Sequence, residues 1–155
     1  MLPIDENSVL GNRNAGPVGY PGAAEVVNML PPDRLVKGGV LLLPCIGDGR
    51  QSGTSASPSI LNASPEAAVG GGLALLKTGD KVWVDIGKRT ANIMITAKEL
   101  AKRKKAWKPD VVPSQTPWQE LQRKFVGQLA SGACLDFAVN YQKIAKTRGV
   151  PRHSH

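Results

Sequence analysis

A run of four aliphatic residues, Val40-Leu41-Leu42-Leu43, breaks off into Cys45-Ile46-Gly47-Asp48-Gly49-Arg50-Gln51-Ser52-Gly53-Thr54-Ser55-Ala56-Ser57-Pro58-Ser59, and the rest of the chain reads as support for that transition. An apolar run that ends abruptly in small polar residues is how a buried strand hands a loop to a site. The pattern predicts a strand over 40–46. Gly47, Gly49 and Gly53 permit positive φ and close approach of a ligand, while Arg50 and several hydroxyls supply oriented polar contacts. The ligand these groups suit is anionic and hydroxylated.

The 155 residues suffice for one domain with a core. Hydrophobic residues make up 41% and aromatic residues 5%, so the core has to be built from Val, Leu, Ile and Ala. No run approaches the roughly 20 apolar residues of a membrane span, and the segment containing Asp5 and Glu6 lacks the features of a signal peptide. A soluble, cytoplasmic protein without a membrane partner is expected, with a mitochondrial setting left open for a full-length form. Cys45 and Cys134 belong to no paired motif and read as free, buried thiols.

The formal charge of +8 is one-sided. Residues 1–97 hold eight basic and eight acidic side chains; residues 98–155 hold twelve and four. The densest part, Lys98 to Lys108, reads as a solvated helix face in preference to a phosphate-neutralising surface, having a single interleaved aromatic, Trp107. A basic rim that attracts a carboxylate is a third reading. No nucleic-acid partner is expected.

Along the chain, Asn14 to Gly22 is a series of Gly/Pro turns. Ala23 to Leu30 follows as a short helical candidate closed by Pro31-Pro32, with Glu25 at its start. Local sequence favours a helix-dipole role for Glu25 over metal ligation. Asp33 to Lys37 makes a helical turn, and Ser64-Pro65-Glu66 reads as a capped helix start ending at Gly70. Lys81–Ile86 and Thr90–Ile95 alternate as a hairpin. Thr96-Ala97-Lys98-Glu99 and Thr116-Pro117-Trp118-Gln119 have capping-box spacing. The stripe Leu121, Phe125, Leu129 predicts a helix that packs on a sheet and stops at Gly132, with a last helix over Leu135 to Lys146.

The loop lacks the ending of a phosphate-binding nucleotide loop, the order G-x-G-x-x-G, and the nucleophile elbow G-x-S-x-G. His153 and His155 read as a solvated tail rather than a metal pair. The segment from Gly47 to Ala68, together with Asn14 to Gly22 followed by Glu25, instead resembles the carboxy-terminal signature of the dihydroxy-acid and sugar-acid dehydratases. The resemblance runs to Arg148-Gly149-Val150-Pro151-Arg152. Its Arg-Gln-Ser-Gly-Thr version is similar to the pentonate dehydratases more than to the branched-chain biosynthetic branch. Ala56 departs from the glycine expected there, which would strain the loop if positive φ were required.

The resemblance implies a mixed α/β fold: a barrel-like swivelling domain with flanking helices, incomplete at its amino-terminal side. Residues 1–108 would form the partial barrel with the site loop, and 109–155 a linker and helical extension. It implies elimination of water from a 2,3-dihydroxy carboxylate, with Ser52 as base and Thr54 orienting it. Arg50, Ser52 and Thr54 are the substrate-binding candidates; Asp48 and Arg50 also read as loop scaffold. Glu25 becomes a magnesium ligand, reversing the local reading. The implied cofactors are a two-iron two-sulfur cluster and magnesium, mainly bound by a domain outside this chain, with no cluster ligand among Cys45 and Cys134. A homo-oligomer, dimer or tetramer, is implied. The alternatives are a branched-chain dihydroxy-acid dehydratase part and a catalytically inactive binding module.

Overall fold

The chain folds, in a computed structural model that describes residues 3–24, 29–50 and 56–148, around a short parallel sheet. Strands β1 (Leu10–Asn12), β2 (Cys45–Gly47) and β3 (Ser59–Ile60) lie in that order, with Leu10 opposite Cys45, Asn12 opposite Gly47, and Cys45 opposite Ser59. Only β2 is buried along its whole length. The predicted strand over 40–46 is thereby corrected to Cys45–Gly47. Pro44 carries no N–H to extend the ladder; its carbonyl accepts from Leu10 N at 2.8 Å. Of the aliphatic run, Leu43 is buried while Leu41 and Leu42 are exposed.

The hairpin is confirmed as β4 (Val82–Asp85) against β5 (Thr90–Ile93), antiparallel, with Val82 opposite Ile93. Both sheets are open, so among the described residues the expected barrel is not closed, and the fold is a mixed α/β arrangement. Helix α1 spans Asp33–Lys37 as predicted. Residues 25–28 of the Ala23–Leu30 candidate lie outside the described residues, and its described flanks are not helical.

Helices α2 (Ala97–Ala106) and α3 (Pro117–Phe125) begin where the caps were predicted: Thr96 Oγ1 accepts from Glu99 N, and Thr116 Oγ1 from Gln119 N, each at 3.2 Å. The reciprocal half of each box goes elsewhere. Glu99 accepts from Arg103 Nε at 2.9 Å, and Gln119 Oε1 from Gln115 N at 2.7 Å. Helix α3 ends at Phe125 rather than at Gly132, because Val126 leaves the helix to pair with Leu135. The predicted stripe therefore breaks: Phe125 meets Phe137 of α4 (Asp136–Arg148) edge to face at 5.4 Å, and Leu129 begins a 3-10 turn. Ser64 is not a cap; its Oγ accepts from Ala130 N, and a 3-10 turn starts at Ala67 with Glu66 before it. The φ of Ala56 turns on Ser55, which lies outside the described residues.

The core is aliphatic, as composition required: Leu43, Ile46, Ala67, Ala68, Leu73, Leu75 and Val126, with the buried Cys45. Cys134, expected buried, is exposed. Neither α2 nor α3 contributes a fully buried residue. Helix α2 is held instead by Arg103, which forks onto Asp80, donates to Leu75 O at 2.8 Å, and pairs with Glu99. The Arg103 guanidinium, by its hydrogen bonds above all, holds both Asp80 and Glu99 below the usual carboxylate range. The chain exposes 11486 Å² for 16.4 kDa, where a self-contained monomer of that mass exposes about 7,500 Å².

Candidate functional site

Two buried carboxylates organise the region around the sequence motif. Asp48, at the bend leaving β2, is 0% exposed. It accepts from three backbone amides, Asn14 N at 3.1 Å, Ala15 N at 3.0 Å and Ala67 N at 2.8 Å. Glu66 is equally buried. It accepts from Val18 N at 3.0 and 3.1 Å, from Gly19 N at 2.8 Å and from Gln128 Nε2 at 2.8 Å, while the Gln128 carbonyl takes Glu66 N at 2.8 Å. A buried carboxylate that faced no donors would cost several kcal/mol; here the donors are the amides of the Asn14–Gly19 loop. The sequence supports this locally. Asn14 has φ 64, a region asparagine enters readily, and a Cβ on Gly16 would lie 2.4 Å from Glu66 Oε2.

From the other side, α3 grips the same loop. Arg123 donates Nε to Val18 O at 2.8 Å, Nη2 to Gly19 O at 3.1 Å and Nη1 to Ser114 Oγ at 2.9 Å. Val18 and Gly19 thus give their N–H groups to a carboxylate and their carbonyls to a guanidinium. Gln119 Nε2 reaches Pro21 O at 3.4 Å. The base of the site loop is closed by Asn62 N to Gly49 O at 3.1 Å and Ala63 N to Gly47 O at 3.0 Å.

Of the predicted site residues, Glu25, Ser52 and Thr54 lie outside the described residues. Arg50 is described: it is exposed, and its Nη2 donates to Ala23 O at 3.1 Å. The structure therefore brings together the chain positions that flank the predicted residues, Ala23 two positions before Glu25 and Arg50 two positions before Ser52. Asp48 has the scaffold role read for it. Glu66, Gln128 and Arg123 are organising residues that sequence reasoning did not single out. The available signal was weak: an acid amid Gly, Pro and Ala, with no basic residue near it in sequence.

Among the described residues no three His, Cys, Asp or Glu side chains converge to hold a metal ion. Asp48 and Glu66 are engaged by N–H donors. The buried Cys45 thiol faces Leu43 O at 3.5 Å, and the exposed Cys134 faces Gly132 O at 3.6 Å. These side chains do not fit a cluster or a magnesium ion, and no chemistry is routed through them.

Comparison with known proteins places this geometry in context. Residues 2–133 match the family model described as dihydroxy-acid/6-phosphogluconate dehydratase C-terminal. The chain is 51% identical over 154 residues to a D-xylonate dehydratase of Caulobacter vibrioides, covering 99% of this chain and 26% of that protein. It is 42% identical over 136 residues to an L-arabinonate dehydratase of Rhizobium leguminosarum bv. trifolii, covering 88% and 24%. A dihydroxy-acid dehydratase of Archaeoglobus fulgidus is 42% identical over 107 residues, covering 68% and 19%. The chain spans about a quarter of the length of these curated relatives.

Proposed function

The chain belongs to the dihydroxy-acid/6-phosphogluconate dehydratase C-terminal family, and on that premise we propose that it forms the carboxy-terminal part of a hydro-lyase that dehydrates a sugar acid. Xylonate and arabinonate are the proposed substrates, after the names of the D-xylonate and L-arabinonate dehydratases it resembles, and the product is the 2-keto-3-deoxy acid. The observation that carries the reading is the Arg50–Ala23 hydrogen bond. It ties Arg50, at the start of the motif loop and two positions before Ser52, to Ala23, at the end of the Gly/Pro loop and two positions before Glu25.

In this reading Ser52 removes the C2 proton, the C3 hydroxyl departs as water, and the enol tautomerises to the ketone. A serine hydroxyl is too weak a base at neutral pH without strong activation by neighbouring cations and donors. Thr54 orients Ser52, Arg50 belongs to the substrate-binding set, and Glu25 offers the hard oxygen donor magnesium prefers. A two-iron two-sulfur cluster and magnesium, held mainly by the remainder of the enzyme, are Lewis acids toward the leaving hydroxyl and the substrate carboxylate when bound. The excess of exposed surface, with Ile86, Trp118 and Leu30 each at least three-quarters exposed, supports a chain that packs against further protein, and a homo-oligomer is part of the proposal. So is a cytoplasmic setting: no described helix is long and apolar enough to cross a membrane, and a mitochondrial one finds no support in relatives such as that of Caulobacter vibrioides. The α2 lysines are assigned no nucleic-acid role.

The Archaeoglobus relative favours one second reading, a branched-chain dihydroxy acid as substrate. Both are tested by placing this chain in the matching 154-residue stretch of the Caulobacter D-xylonate dehydratase and following keto-acid formation from xylonate, arabinonate and a branched dihydroxy acid. Turnover of a pentonate, lost in Ser52→Ala, is expected. A soluble, cluster-bearing chimera that dehydrates none of them favours the inactive module, and full activity in Ser52→Ala removes the assigned base.

A further inference from the structure

A hollow of about 360 Å³ lies between the Ala15–Ala23 loop and the end of α3, with Arg50 on its rim. That volume falls in the lower part of the range of about 300–1,000 Å³ for small-molecule sites. A larger hollow of about 690 Å³, walled by Leu10, Ile46 and Leu73, lies elsewhere and touches neither Arg50 nor Ala23. The smaller one is lined by both partners of the Arg50–Ala23 hydrogen bond, the location a substrate pocket needs.

Its lining pairs a smooth apolar surface from Pro17, Pro21 and Leu129 with polar groups from Tyr20, Arg50 and Gln122. Gln122 stands out among its neighbours on α3. Gln119 and Arg123, three positions before it and one after, bind carbonyls of the Gly/Pro loop. Gln122 is half-buried, yet its side-chain amide has no partner among the described residues, and neither has the Tyr20 hydroxyl. The Gln122 amide atoms are open to solvent, so two donors and an acceptor are free to meet a ligand in the hollow. A chain of hydroxyls is the complement of such a lining; an aliphatic branch is not.

We propose that this hollow receives the hydroxylated end of the substrate beyond the reacting carbons, and that Gln122, with Tyr20 beside it, is a specificity-determining residue for polyhydroxylated over aliphatic acids. The inference rests on the sugar-acid reading above and adds to it the part of the site that reads the C4 and C5 hydroxyls. A site built to bond a hydroxyl rejects the analogue that lacks it far more strongly than an apolar pocket rejects an extra one. The intact amide should therefore favour a pentonate over its 4-deoxy or 5-deoxy analogue.

The test measures kcat/KM of the chimeric dehydratase on a pentonate and on its 4-deoxy and 5-deoxy analogues, for the unaltered protein, Gln122→Ala and Tyr20→Phe. Gln122→Ala should lower kcat/KM for the pentonate at least tenfold, mainly through KM, and leave at least one deoxy analogue unchanged, so that discrimination collapses. Tyr20→Phe should act in the same direction with a smaller factor. Equal losses on all three acids, or no loss on the pentonate in either variant, overturn the proposal while the dehydratase reading stands. Inactivity of the unaltered, cluster-bearing chimera on every acid overturns both. Thermal midpoint and cluster absorbance, measured on each variant, separate a pocket effect from misfolding.

Discussion

Glu66→Gln changes one heavy atom in a side chain that is 0% exposed, and the geometry fixes what it should cost. The carboxylate faces three donors: Val18 N, Gly19 N and Gln128 Nε2. If the new carbonyl oxygen takes the Oε1 position, the new NH₂ confronts Gly19 N–H at the site of a 2.8 Å bond. If it takes the Oε2 position, the NH₂ confronts Gln128 Nε2, and Gln128 can turn its carbonyl toward it only by giving up Glu66 N, now held at 2.8 Å. Either way one charge-assisted bond is lost, worth about 1.5–3 kcal/mol, and a buried donor is stranded, which costs about 1–3 kcal/mol. Because the surroundings relax in part, the expected net loss is about 2–4 kcal/mol. Urea unfolding reads the stability, and hydrogen exchange at Val18 and Gly19 reads the location, with protection of those amides falling more than protection of β4 and β5. A loss under about 0.5 kcal/mol with unchanged exchange at Val18 and Gly19 would refute the reasoning.

Asp48→Asn should cost a similar ~2–3 kcal/mol, stranding Ala15 N if the new NH₂ takes the Oδ1 place, or Asn14 N and Ala67 N together if it takes the Oδ2 place, and amide exchange at those three positions checks it. Gly71→Ala places a methyl 1.6 Å from Pro65 O; a loss of at least ~1–3 kcal/mol in thermal or urea unfolding is expected. Arg103→Lys keeps the charge but loses the fork onto Asp80 and the bond to Leu75 O, so α2 should lose exchange protection at neutral pH. Asp80 and Glu99 titrate below their ordinary 3.8 and 4.5. Their contribution is therefore complete above the unfolded values, and is lost as pH falls through the lower folded ones. An acid titration of α2 helicity should show a step below about pH 4 that is weakened in Arg103→Lys.

Local signals placed the elements whose determinants are local. Thr96 and Thr116 start helices because each hydroxyl needs only an amide three residues ahead, and the hairpin pairs as expected although β4 and β5 do not alternate in burial. The motif loop was read as a site from its composition alone, and residues 51–55 at its centre lie outside the described residues. What could not be read were contacts made across the chain. Glu66 was given no role of its own in the predicted helix start, yet it binds Val18, Gly19 and Gln128, and Ser64 looked like a cap, yet its partner is Ala130. The strand over 40–46 failed at Pro44, whose missing amide outweighed four aliphatic neighbours. Helix α3 failed to reach Gly132 because Val126 found Leu135. At Pro44 the cause is local; in the other cases a long-range partner overrode a short-range preference.

The large exposed surface has a calorimetric consequence. Measured against a fully extended chain, the protein buries about half of its area, where a domain of this size buries about 70%. Heat capacity of unfolding follows apolar burial, so the usual ~2 kcal/mol/K for 155 residues should be lower by roughly a quarter. The transition should be broad and the stability curve flat. If the surface of α4 and the β4–β5 hairpin is covered by the rest of a larger enzyme, the heat capacity absent from this chain should appear as a negative ΔCp when the two associate.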